Sequence, residues 1–133
     1  MSQKSNYADA VFLDAVADRI KDRNNWTVGV LARDALGYPV AVTDPGAVKW
    51  CTMGALILEH YLRGRASPTA ERQAYITRVR VTHVIGRLLA DRYLKWRRFS
   101  HSRLIERVND DRWHDGHAAI LGALRDGAAS RRR

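Results

Sequence analysis

One cysteine in 133 residues leaves no partner for an intramolecular disulfide, so packing alone has to hold the core and a reducing compartment is expected. Proline occurs three times, which leaves long stretches free to form helix. Apolar runs are short. The longest, Met53 to Leu58, stops at Glu59, well below the roughly 20 residues a helical membrane span needs. Asp9 and Asp14 interrupt the first apolar segment, where a secretory signal needs an unbroken stretch. A cytoplasmic protein that does not enter a membrane is therefore expected. The phosphate-binding loop, the GxGxxG turn, the GxSxG nucleophile elbow and the HExxH zinc pair are all missing. No cofactor, no metal and no enzymatic activity are expected.

Acidic side chains are also scarce, 14 against 23 Lys and Arg, for a formal charge of +9. The excess is local. Residues 1–62 carry 6 basic and 7 acidic side chains, whereas residues 63–112 carry 13 and 5. Such asymmetry points to an acidic partner, with a merely solubilising surface as the plain alternative.

What is present reads as one mainly helical domain, α+β in class. About four helices surround one core, with a small β-hairpin near residues 26–42. The first helix is predicted over Asn6–Arg23, burying Ala8, Val11, Phe12, Ala15, Val16 and Ile20 and turning Asp9, Asp14, Asp18 and Asp22 largely outward. Two β-rich runs flank Asp34-Ala35-Leu36-Gly37, a hairpin signal, with Pro39 fit only for an edge strand. Asp44-Pro45 reads as a helix start, with the helix running to Leu62 as the central, most buried element. Ser67-Pro68 repeats that signal and opens a long helix to about Phe99, burying Ala74, Val81, Ile85, Leu88, Leu89 and Trp96. A short piece over Arg103–Val108 and a last helix over Asp115–Ala128 complete a single domain of residues 1–128, followed by a frayed basic tail, 129–133.

Four places invite chemistry. Cys51 near a helix start has the position that activates a thiol, and His117 and Asn109 are possible partners; burial in an apolar helix is the plainer reading. His114 and His117 stand at a spacing that suits a metal, but Gly116 lies between them and a third ligand is missing. Asn109-Asp110-Asp111 reads as turn and cap chemistry before a helix. The long helix and its end supply a basic face, with Arg80, Arg87 and Arg98 on one side and Lys95 and Arg97 flanking. That face suits an acidic macromolecule, protein or nucleic acid.

Trp26-Thr27-x-Gly29, Ala32-Arg33-Asp34, Gly37, Asp44-Pro45, Ala47-Val48, Trp50-Cys51 and Gly54-Ala55 together form a pattern. It resembles an uncharacterised family of small bacterial and bacteriophage proteins, which then show an Asn-Asp pair, as at Asn109-Asp110. That family has no established activity. The resemblance implies that Trp26, Arg33, Asp34, Trp50, Cys51, Asn109 and Asp110 converge on one surface, or that Arg33 and Asp34 fix a turn. The reading that results is a small non-enzymatic interaction module of phage or mobile-element type that docks through a basic helix. A direct nucleic-acid-binding protein and a Cys51-dependent enzyme are the alternatives.

Overall fold

A computed structural model describes residues 2–133. Helix α1 spans Gln3–Ile20 and is capped by Ser2, whose side chain accepts from the Ser5 N–H. A 3-10 turn at Arg23–Asn25 follows, and Trp26 leads into strand β1, Ala32–Asp34. Strand β2 is Ala47–Trp50, and helices α2 (Thr52–Gly64), α3 (Pro68–Arg92), α4 (His101–Asn109) and α5 (Gly116–Arg132) complete the chain. The protein is thus mainly helical, with five α-helices and one two-stranded antiparallel sheet among the described residues, where about four helices were expected. No helix among the described residues is long and apolar enough to cross a membrane.

The tight turn at Asp34–Gly37 is present. Asp34 Oδ1 accepts from the Leu36 and Tyr38 N–H groups, and Gly37 takes φ +88°, a left-handed conformation that favours glycine. The chain doubles back on β1 for a short stretch: Asp34 N–H donates to the Tyr38 carbonyl, Val40 N–H donates to the Ala32 carbonyl, and Pro39 bridges Arg33. The expected hairpin across residues 26–42 is limited to this stretch and forms no second strand there. The lasting partner of β1 is β2, in the register Ala32–Trp50 and Arg33–Lys49.

The second helix therefore starts seven residues later than the Asp44-Pro45 signal predicts. Asp44 closes a turn instead, accepting from Gly46 N–H on its side chain and from Ala47 N–H on its carbonyl. The cap of α2 is Cys51, whose Sγ accepts from the Gly54 N–H at 3.3 Å. The first half of α2 is buried, in keeping with its central place. Gly54 meets the backbone just before β1 so closely that a Cβ there would overlap the Leu31 carbonyl oxygen.

Helix α3 stops at Arg92, short of Phe99, and a 3-10 turn at Leu94–Trp96 carries the chain to α4. At Gly86, where α3 crosses α4, the absent side chain makes room for the His101 ring. Ala74, Val81, Ile85 and Leu89 are buried as expected, but Leu88 is exposed and Trp96 only half-buried. The core gathers Phe12, Leu13, Val16, Leu56, Ile85, Leu104, Ile105 and Ile120 between α1, α2, α3, α4 and α5.

Two expectations about α1 and the tail change together. Asp9 is not outward but fully buried (0 % exposed). Arg80 meets it at 2.9 Å and Arg131 at 3.5 Å. Arg132 holds Asp14, and Arg125 holds both Asp14 and Asp18. The expected frayed tail is thus helical to Arg132, where Arg131 and Arg132 each meet a carboxylate on α1.

Candidate functional site

Six of the seven pattern residues, Trp26, Arg33, Trp50, Cys51, Asn109 and Asp110, lie where the loop after α1, the strands and the end of α4 meet, while the Asp34 side chain bonds only within its own turn. Asn109 is the centre and is 1 % exposed. Its Oδ1 accepts from Trp26 Nε1 at 2.9 Å, from Thr52 N–H at 3.0 Å and from Thr52 Oγ1 at 2.6 Å. Its Nδ2 donates to the Thr27 carbonyl and to Asp110 Oδ1. Asp110 Oδ1 also accepts from Gly29 N–H. Arg33 donates to Thr27 Oγ1 and to the carbonyls of Val28 and Gly37, which fixes the loop around it. Trp50 Nε1 donates to the Val42 carbonyl. The polar groups of Asn109 and Arg33 are thus taken up by neighbouring side chains and backbone of the same knot, joined through Thr27. Thr27 and Thr52 belong to this knot and lie outside the seven residues read from the sequence.

Cys51 lines a cavity of about 240 Å³ beside Asn109 and Asp110. Burial pushes its thiol upward in pKa, with the carboxylates of Asp110 and Glu106 adding to the rise, against the backbone N–H groups of Gly54 and Met53. A neutral thiol acting as a cap fits that environment better than a thiolate nucleophile does. His117 Nε2 binds the Ile20 carbonyl at 2.6 Å and its ring packs against Trp26. His114 Nδ1 pairs instead with Asp111. No group of three metal-ligating side chains occurs among the described residues.

The basic face is divided. Arg80 does not stand with Arg87 and Arg98, since it is turned inward to Asp9. Arg87, Lys95, Arg97 and Arg98 are exposed, and none of them makes an ion pair among the described residues. Around the break between α3 and α4 the cations lie over rings. Lys95 sits 4.9 Å from the Trp96 centroid, Arg103 4.9 Å from Phe99, and Arg107 5.6 Å and 5.2 Å from Trp96 and Phe99. Tyr93 stacks parallel to Trp96 at 5.3 Å. The sequence reading lacked Arg103 and Arg107; their four-residue spacing on a short helix next to Phe99 was the available signal. Arg87 stands nearer the start of α4. Burial, His83 and Arg87 together hold the His101 imidazole below its usual pKa.

One further feature adjoins this face through Lys95. A cavity of about 610 Å³ opens between the end of α3 and the start of α5, lined in part by Arg92, Tyr93, Leu94 and Lys95. Trp113, 91 % exposed, stands on the loop that leads into α5.

A family model described as "Family of unknown function (DUF6197)" matches residues 5–130, and the chain belongs to that family. No curated protein and no solved structure matches the chain.

Proposed function

For this member of DUF6197 we propose a non-enzymatic binding module, cytoplasmic and of phage or mobile-element type, that takes an acidic macromolecule on its basic–aromatic face. The observation that carries this is the contrast between two sets of arginines. Arg80, Arg125, Arg131 and Arg132 are fastened to carboxylates, whereas Lys95, Arg97, Arg98, Arg103 and Arg107 are exposed without an acidic partner among the described residues, and Lys95, Arg103 and Arg107 lie over aromatic rings. Cations left unneutralised along one edge are what a phosphate backbone requires, and rings among them suit nucleic acid better than an acidic protein.

Fluorescence anisotropy with single-stranded and duplex probes across a salt series tests the reading. Binding should weaken with salt, with a log–log slope of about 0.7–0.9 per phosphate contact. Charge reversal at Arg97 and Arg98 should lower both affinity and slope. Absence of binding at low salt, or binding indifferent to salt, would assign the face to an acidic protein instead.

A further inference from the structure

We infer that the cavity between the end of α3 and the start of α5 receives an unstacked base of a single-stranded nucleic acid; this rests on the reading of the basic face above. The cavity holds about 610 Å³, within the usual range of roughly 300–1,000 Å³ for small-molecule sites. Its walls have two characters. Tyr93, Leu94, Ala118 and Ala119 supply apolar surface, and Leu94 is 62 % exposed beside it with nothing covering it. Arg92 and Lys95 supply positive charge, while the carboxylate of Asp115 in the same wall is already held by Arg23 at 2.7 Å and by the Ala118 N–H. The fitting occupant therefore has a flat apolar body and a negative group at its edge, which is the description of a nucleotide.

Continuity with the basic face favours a nucleotide within a strand. Lys95 belongs to both features, lining the cavity and opening the run Lys95, Arg97, Arg98. A base seated in the cavity places its phosphate at Lys95 and the next phosphates along the exposed arginines. Tyr93, which lines the cavity, already lies parallel to Trp96, so an entering base would extend an existing stack. Bases paired within a duplex cannot enter such a recess without being extruded.

The test uses the full-length protein, short single-stranded and duplex probes of equal length, and thymidine monophosphate. Ala118→Phe fills the cavity from an exposed helical position and leaves the cations of the basic face in place. Wild type should bind the single strand more tightly than the duplex. Ala118→Phe should lower single-strand affinity about tenfold, in line with the loss of one stacked base, and leave duplex affinity unchanged. Leu94→Ala, also at an exposed position, carries the same comparison if Ala118→Phe lowers the melting temperature. Nucleic-acid binding with no single-strand preference, or with no loss in either variant, overturns the base pocket and leaves the basic-face reading intact. Failure of wild type to bind either probe overturns both. Saturable thymidine monophosphate binding without strand binding makes the cavity a free-nucleotide site and overturns the assignment to a strand.

Discussion

Asn109 ties three segments distant in the chain: the loop at Trp26–Thr27, the start of α2 at Thr52, and its own α4. A buried amide suits this place because one oxygen accepts while the nitrogen donates in the opposite direction. Its removal strands the Trp26 and Thr52 donors and the Thr27 carbonyl at one site. Each buried polar group left without a partner costs about 1–3 kcal/mol, so Asn109→Ala should lose about 3 kcal/mol or more in urea unfolding. A loss below about 1 kcal/mol would show that water replaces these bonds freely. Read from the chain alone, Asn109-Asp110-Asp111 looks like turn chemistry. Asp111 does serve that way, accepting from Trp113 N–H, but the role of Asn109 depends on residues 57 to 83 positions away.

At the scale of elements, the crossing of α3 and α4 partly buries a titratable ring. His101 packs into the space at Gly86 with its ring 4.4 Å from that of His83. Burial comes first among the causes that lower its pKa, with His83 and Arg87 adding like charge. The folded state therefore favours the neutral ring. Its contribution to stability is fully present above the unfolded value of 6.5 and is lost as pH falls below it, because the unfolded chain then binds the extra proton. Melting temperature should fall between about pH 8 and about pH 5, and fall less in His101→Gln. An equal fall in both proteins would place the titration elsewhere. The paired Ser-Pro and Asp-Pro signals teach a related lesson. Ser67-Pro68 starts a helix, with Ser67 capping Ala70 N–H. Asp44-Pro45 does not, since β1 offers the following residues a ladder and Cys51 offers a later cap.

For the whole molecule, the ion pairs separate arginines that hold the fold from arginines that are free to bind. Arg80 neutralises a carboxylate with no access to water, and breaking such a pair costs about 3 kcal/mol because the partner charge stays buried. Arg80→Ala should therefore lower stability by about that much, leaving Asp9 its 3.5 Å contact with Arg131. Arg98→Glu should change stability by less than about 0.5 kcal/mol, as exposed substitutions usually do. Urea denaturation of the two variants side by side makes the comparison. Equal losses would erase the distinction on which the binding face depends.

Composition and periodicity alone determined the helical class, the single core and the placement of α3 and α5, because a repeating apolar stripe has only one way to be buried. The charge excess in residues 63–112 was equally legible. Only the tertiary structure decided which partner β1 takes, since strand pairing joins segments that local pattern does not relate. It also decided which charges remain free. Asp9 and Arg80 lie 71 positions apart, and nothing near either residue announces the other. The fate of a charged side chain depends on what packs across from it, and that is a property of the folded chain rather than of its neighbours in sequence.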